Sequence, residues 1–330
     1  MDIVKPIKEI FKAYDIRGKF PDEINRDVAY TIGKAYGTKL LSIGKNKCIV
    51  GYDNRESSIE LSLSLSLGIL STGVDVINLG LVTTPMAIYS KEVLKIPSYV
   101  MVTASHNPKD DNGFKFSFDE SGNVKGDDID KFYDLVISGN FKEGMGKFTR
   151  YNVEKDYLEL FRRGINLGDK KLKVVIDLAN GTTSCIAREL FEQFDIDLTI
   201  INEESDSSFP NHHPDPCVAA NQKQLQDKVL ELHADLGIGF DGDGDRCGIV
   251  DNLGHIIPTD IYMAIMCKDI ILNNEDKRIL YDVKCSNALK DEIVKWGGIP
   301  ICYRTGASYT MAKVIDDNIL FGGEYSGHVF

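Results

Sequence analysis

Leu61-Ser62-Leu63-Ser64-Leu65-Ser66-Leu67 alternates apolar and polar residues with a period of two, which locally is the signature of a strand. Its flanks favour the opposite reading. Ser57 or Ser58 can cap a helix, Glu60 falls in the first turn, and Gly73 can end the element. On either side lie apolar runs of strand character, Ile49–Tyr52 and Val74-Asp75-Val76-Ile77. A helix between them completes a strand–helix–strand unit, so we assign this stretch to a helix, and that choice makes the chain an α/β protein.

The same pattern recurs outward from it. Ile49–Asp53, Val174–Asp177 and Ile279–Asp282 are each an apolar strand ending in aspartate and a polar turn. Each is followed, 40 to 65 residues later, by a strand ending in a loop of glycine and polar residues. Those loops carry Ser105, Asp241 and Glu324. The reading is therefore α/β, three similar α/β/α units with mixed sheets, whose loops meet at a shared cleft beyond the carboxyl ends of the strands. Helices are expected over Pro85–Leu94, Asp127–Ser138, Val153–Arg163 and Ser184–Phe194. The glycine-rich stretch 139–146 reads as a linker. The expected units are 1–150, 151–252 and 253–330.

Within the first unit, Tyr99-Val100-Met101-Val102 runs into Thr103-Ala104-Ser105-His106-Asn107-Pro108 and on to Asn112-Gly113-Phe114-Lys115. Asn-Pro and Asn-Gly are turn dipeptides, so a small hydroxyl is presented on a tight loop. A serine acts as a nucleophile or carries a phosphate only with a base or cation nearby, and usually with a metal for the phosphoryl charge. His106 and Lys115 are at hand. Near the N-terminus, Tyr14-Asp15-Ile16-Arg17-Gly18 reads as a turn presenting Arg17.

The metal reading comes from the second unit. Asp241-Gly242-Asp243-Gly244-Asp245-Arg246 follows the strand Leu236–Phe240. Three carboxylates at alternate positions can face one way while the glycines let the backbone curl around an ion. A compact all-oxygen site suits Mg²⁺. An EF-hand calcium loop is excluded, because its sixth position would be Arg246 instead of glycine and its twelfth Asn252 instead of glutamate. Arg246 can hold a phosphate oxygen that also faces the metal. Serine, divalent cation and phosphate-binding cations together fit phosphoryl transfer. Asn211-His212-His213-Pro214-Asp215-Pro216 has no matching ligands around its histidine pair, and reads as a solvated or substrate-adjacent loop.

Composition sets the outer bounds. The chain of 330 residues is 43% hydrophobic and 27% charged, ordinary for globular domains, and long enough for two or three cores. A net charge of −12 argues against a nucleic-acid partner. Seven scattered cysteines, none in a Cys-x-x-Cys pair, favour a reducing, cytoplasmic setting. The N-terminus lacks a signal peptide's apolar stretch, and no run approaches a membrane span in length. A monomer is the expected state.

Four motifs in order resemble those of the α-D-phosphohexomutase family: Tyr14–Gly18, Thr103–Pro108, Asp241–Arg246 and Gly323-Glu324-Tyr325-Ser326-Gly327-His328. The resemblance covers residues from about 10 to the end, and is nearest the phosphomannomutase/phosphoglucomutase branch. The glucosamine branch tends towards Gln after the Glu and an Asp-Gly-Ile-Arg-Gly opening. The resemblance implies reversible phosphoryl transfer on mannose or glucose phosphates. Ser105 would be the phosphorylated serine, and Asp241, Asp243 and Asp245 would bind Mg²⁺ with it. Arg17, His106 and Lys115 would surround the reaction, with Lys115 a candidate general acid/base. Glu324 and Ser326 would read sugar hydroxyls, and Tyr14, Arg246, Lys284 and His328 would complete substrate binding. Glucose or mannose 1,6-bisphosphate would be the activating intermediate.

Two departures stand out. Ala307 occupies a loop position where the branch usually carries histidine. The third domain is also expected to lack its last segment, and a fourth, phosphate-gripping domain to be absent, which would make the chain, if not a fragment of a longer one, a weak or inactive mutase with an intact metal–serine site. The competing classes are a phosphoglucosamine mutase, a Mg²⁺-dependent sugar phosphatase and a non-catalytic fragment.

Overall fold

The stretch Leu61–Leu67 is helical. In the computed structural model, which describes residues 1–330, the helix runs from Ser58 to Leu70. Leu61, Leu65 and Ile69 face the core at helical spacing and are fully buried, while Leu63 and Leu67 point outward. Ser62, Ser64 and Ser66 are buried as well. Their small size lets a neighbouring helix come close. A Cβ on Gly68 would lie 2.1 Å from the carbonyl oxygen of Tyr30, and one on Gly33 would lie 2.2 Å from that of Leu65. Tertiary burial thus overrides the local period.

The first unit comprises β1 (Ile16–Lys19), α1 (Arg26–Ser42), β2 (Lys47–Tyr52), α2 (Ser58–Leu70), β3 (Asp75–Leu81), α3 (Thr84–Leu94), β4 (Tyr99–Val102), β5 (Asp111–Ser117), α4 (Asp127–Ser138) and β6 (Phe148–Arg150). The second comprises α5 (Glu154–Gly164), β7 (Lys173–Asp177), α6 (Ala187–Phe191), β8 (Asp197–Ile201), α7 (Lys223–Leu232), β9 (Leu236–Phe240), β10 (Cys247–Asp251) and β11 (Ile256–Ile257). The third holds α8 (Thr259–Asn273), β12 (Arg278–Asp282), α9 (Asn287–Lys295), β13 (Ile299–Tyr303), α10 (Ala307–Asp316) and β14 (Phe321–Gly323).

The strand orders are β1-β5-β4-β2-β3-β6, β11-β10-β9-β7-β8 and β13-β12-β14. Each sheet contains one shared triplet, β4-β2-β3, β9-β7-β8 or β14-β12-β13, parallel throughout. The middle strand leads to or ends in a buried aspartate, Asp53, Asp177 or Asp282. The strand beside it leads to Ser105, Asp241 or Glu324. Connections of this kind put the three loops at the same edge of each unit. In the first two sheets an antiparallel strand, β5 or β10, adds to the triplet. The third sheet departs from the expected mixed character. Its three strands are all parallel, and only an antiparallel bridge between Gly323 and Val329 stands where β5 and β10 stand.

Two further expectations need correction. The stretch 139–146 is not a free linker: Gly144 and Gly146 donate to the carbonyls of Ser71 and Leu70, which leads the chain into edge strand β6. The helix expected over Ser184–Phe194 is a 3₁₀ turn, Thr182–Cys185, followed by the short α6. The break at Ile186 seats that side chain in a core shared by two units, with Ile49, Met86, Tyr99 and Val153. The other face of the first sheet is closed by a core that includes Val50, Leu65, Phe114 and Phe132. The third unit has its own, around Met263, Cys267, Ile279 and Leu289. No helix is long and apolar enough to cross a membrane.

Candidate active site

A cavity of about 960 Å³ lies between the three units, lined among others by Arg17, Ser105, Lys115, Arg246, Ser308 and His328. Ser105 sits at the turn after β4 with φ +52°, a left-handed conformation unusual for a side chain with a Cβ. That turn aims its Oγ across the unit boundary, where it donates to Asp241 Oδ2 at 2.9 Å. His106 Nδ1 lies 3.3 Å from Ser105 Oγ. Burial and the charge of Arg246 push the His106 imidazole down to about 4, so it stands neutral beside the serine.

Lys115, on β5, reaches between two aspartates. Its Nζ is 2.7 Å from Asp243 Oδ2 and 2.6 Å from Asp245 Oδ2. Burial works against the charge on Lys115, but the two carboxylates outweigh it and hold the ammonium well above its ordinary value. Asp243 Oδ2 also accepts from the hydroxyl of Thr84, at the start of α3, and from that of Thr103. Burial and the neighbouring carboxylates push Asp241 well up from the usual carboxylate range. Arg17 donates to Asn107 Oδ1 at 3.0 Å and pairs with Asp15 at 2.7 Å.

From the third unit, His328 turns its Nε2 to Asp245 Oδ1 at 3.3 Å and its Nδ1 to Glu324 Oε2 at 3.4 Å. Burial opposes the charge on His328, yet these acids raise it to about 9. With both ring nitrogens protonated, the 3.4 Å approach of Arg246 Nε to His328 Nε2 is two donors side by side and not a hydrogen bond. Glu324 is buried, with Oε1 taken by the Gly306 N–H and the Thr310 hydroxyl and Oε2 by Ser326. It therefore ties its own loop to the one that carries Ala307. Tyr14 lines the cavity and packs edge-on against Tyr309. Lys284 is exposed and does not line the cavity.

The carboxylates fit a divalent cation. One ligand oxygen from each of Asp241, Asp243 and Asp245 lies within 4.8 Å of the others. Asp243 Oδ1 is buried with no hydrogen-bond partner, a state that polar atoms seldom keep without a ligand. The glycines between the three aspartates serve close approach: a Cβ on Gly242 would lie 2.5 Å from the carbonyl oxygen of Ser105. Gly242→Ala is accordingly expected to push the two loops apart, costing about 1–3 kcal/mol of stability as other overpacked sites do. Mg²⁺ affinity should weaken with it. Thermal unfolding with and without Mg²⁺ checks this, and an unchanged midpoint and affinity would refute it.

Sequence reasoning missed several residues here. His212 is neither solvated nor beside the substrate cavity: it bonds Asp177 Oδ2 at 2.9 Å. This anchors the loop whose Pro214 carbonyl accepts from the Gly242 N–H. Burial lowers His212, but its bond to Asp177 and that carboxylate's charge prevail and raise it above its ordinary 6.5. A raised folded value means stability fully present below the unfolded value and lost as pH rises through the folded one. His212→Asn should therefore destabilise by about 1.5–3 kcal/mol at pH 6, the range for a hydrogen bond to a charged group. The loss should be smaller at pH 8.5. Urea midpoints of both proteins at the two pH values measure it, and a pH-independent gap would rule out the charged pair.

Arg55, read only as part of a polar turn, is 2% exposed. The one signal for it was its place two residues after a strand-end aspartate, where the two charges can pair.

Three segments, 8–143, 155–254 and 258–330, match the alpha/beta/alpha domains I, II and III of phosphoglucomutase/phosphomannomutase. The third match runs to residue 330. Over 321 residues the chain is 38% identical to a phosphomannomutase/phosphoglucomutase of Pseudomonas syringae pv. tomato, covering 97% of this chain and 69% of that protein. It is 33% identical to a phosphomannomutase of Methanocaldococcus jannaschii, covering 97% of this chain and 71% of that one. The crystal structure of a phosphoglucomutase/phosphomannomutase family protein from Burkholderia thailandensis superposes with a TM-score of 0.94 at 35% identity, over 98% of this chain and 72% of that one.

Proposed function

This chain belongs to the phosphoglucomutase/phosphomannomutase family, and from that premise we propose how its cleft does the work of a hexose-phosphate mutase. The reaction is an isomerisation that moves a phosphoryl group between two positions of a hexose, glucose or mannose. The observation that carries the reading is the hydrogen bond from Ser105 Oγ to Asp241 Oδ2, which puts a nucleophile of one unit on the carboxylate cluster of the next.

In this reading Ser105 carries the phosphoryl group between turnovers. Asp241, Asp243 and Asp245 would hold a Mg²⁺ ion, which would supply charge neutralisation for that group. The phosphoserine bond breaks as a sugar hydroxyl takes the phosphoryl group and its proton passes to the departing Ser105 Oγ, giving a hexose 1,6-bisphosphate. The sugar turns over, and Ser105 Oγ attacks its other phosphorus, breaking the bond from that phosphorus to the sugar oxygen, which takes up a proton from Lys115 and leaves as a hydroxyl. The serine proton then has a neutral acceptor in His106. Lys115 is held as a cation and serves as an acid and as fixed positive charge, with Arg17 and Arg246 facing phosphate oxygens. Tyr14 and His328, which line the cavity, hold the sugar, and Glu324 and Ser326 reach it by exchanging the bonds they make to one another. The scattered free thiols agree with a cytoplasmic setting.

The test is the intact mass of the purified chain before and after incubation with glucose 1,6-bisphosphate and Mg²⁺, followed by peptide mapping. One added phosphate on Ser105, with glucose 1-phosphate converted to glucose 6-phosphate, is the expected result. Release of inorganic phosphate without isomerised sugar would replace the mutase by a phosphatase.

A further inference from the structure

A buried guanidinium with no place in the phosphoryl chemistry lies directly beneath the serine loop. Arg55 follows β2, the central strand of the first sheet. Its Nη1 donates to the carbonyls of Pro108 at 2.6 Å and Asp111 at 3.0 Å. Its Nη2 donates to those of Ser105 at 2.8 Å and Asn107 at 2.7 Å. Asp53 faces its Nε at 3.3 Å, both side chains being 1% exposed, and the ring of Phe209 from the second unit stacks 5.5 Å away. These carbonyls span the loop from the reactive serine to the start of β5.

Carbonyls that converge on one point repel one another and would part without a cation between them. The Ser105 backbone also stands in the left-handed region, which a residue keeps only when its surroundings hold it there. Two contacts hold it: its N–H donates to Thr103 Oγ1 at 2.8 Å, and its carbonyl accepts from Arg55. We infer that Arg55 is the positioning residue of the phosphoryl-carrying serine, drawing the loop's carbonyls inward so that Ser105 Oγ is aimed at Asp241. This rests on the reading of Ser105 as the phosphorylated residue. Arg55 touches neither substrate nor metal, so it acts only through the backbone it holds. Lysine cannot replace it, because an ammonium is a single point with three donors, whereas the guanidinium is a planar fork.

The experiment compares wild type, Arg55→Lys and Asp53→Asn. Each is assayed for single-turnover phosphorylation of Ser105 by glucose 1,6-bisphosphate, for kcat and KM on glucose 1-phosphate, and for the melting shift produced by Mg²⁺ alone. For Arg55→Lys the rate of phosphorylation and kcat should both fall roughly 100-fold, as for a reacting group misplaced by about 1 Å. KM and the Mg²⁺ shift should stay within about twofold of wild type. Asp53→Asn keeps all four loop bonds of Arg55, and should lower the melting midpoint while losing less than about fivefold in rate. Wild-type rates in a folded Arg55→Lys protein, or equal losses in the two variants, would overturn the positioning role. So would an Arg55→Lys chain that does not fold, since the arginine would then be purely structural. If wild type itself takes no phosphate on Ser105, the phosphoserine reading and this inference fall together. Phosphorylation of wild type and Arg55→Lys at one rate defeats this inference alone.

Discussion

Lys115→Met is expected to cost about 3–5 kcal/mol of stability in the absence of divalent metal, the usual penalty for removing one partner of a buried ion pair. The reason is local. The ammonium sits between Asp243, with a side chain 0% exposed, and Asp245, at 14%. Without it Asp243 loses its ion-pair partner, and the three buried carboxylates keep only the protonated His328, 3.3 Å from Asp245, and Arg246, 4.0 Å from Asp241, to balance them. Methionine fills much the same volume, so the loss reports charge and not packing. A divalent cation can supply the missing charge. Mg²⁺ should therefore stabilise the variant by a larger margin than it stabilises wild type, because ligand binding adds to stability in proportion to its affinity for the folded state. Urea unfolding of both proteins, with EDTA and with saturating Mg²⁺, gives the comparison. A variant as stable as wild type in EDTA would mean that the carboxylates are not charged as the geometry requires. On the proposed mechanism turnover should fall sharply as well, since Lys115 there serves as the acid facing the transferring group.

Ser105→Ala has the largest expected effect on activity. Loss of the nucleophile should lower conversion of glucose 1-phosphate by at least roughly 10⁴-fold, the scale seen when a reacting residue is removed from its site. Stability should hardly change. The hydroxyl makes one bond to Asp241, and alanine pays little more than serine to keep a positive φ. The metal-induced melting shift should survive, because the aspartates remain. The discriminating measurement is the mass of the variant after exposure to glucose 1,6-bisphosphate: it should gain no phosphate. Turnover retained within tenfold would show that the phosphoryl group never passes through Ser105, and that a direct transfer or hydrolysis operates instead.

Much of this molecule was legible before any coordinates. The three-fold repeat of strand, aspartate and polar turn follows from short apolar runs and from punctuation by glycine, asparagine and aspartate. Those are local signals, written within a few residues of the places they govern. The loops bearing Ser105, Asp241 and Glu324 were found in the same way. Where local signals compete, the reading depends on context, as for Leu61–Leu67. There the alternation speaks for a strand, and only the cap and the flanking strands speak for a helix.

Charge pairing belongs to the tertiary structure. Lys115 meets Asp243 and Asp245 across about 130 residues of chain, and His328 reaches Asp245 from another unit. Arg55 reads only as part of a polar turn, because nothing nearby in sequence predicts four backbone carbonyls gathered from Ser105 to Asp111. His212 likewise pairs with the strand-end Asp177, 35 residues away. By itself, then, the sequence determined most of the strands and helices and the loops that carry chemistry, which are set by residues close along the chain, but not the break at Ile186 or the course of 139–146, which contacts with other segments impose. Only the tertiary structure decided which ionisable groups face each other and which are shut away from water. A charge's environment is made by whatever the fold brings around it, and that is why the protonation of His106, Lys115 and His328 could be read from the folded chain alone.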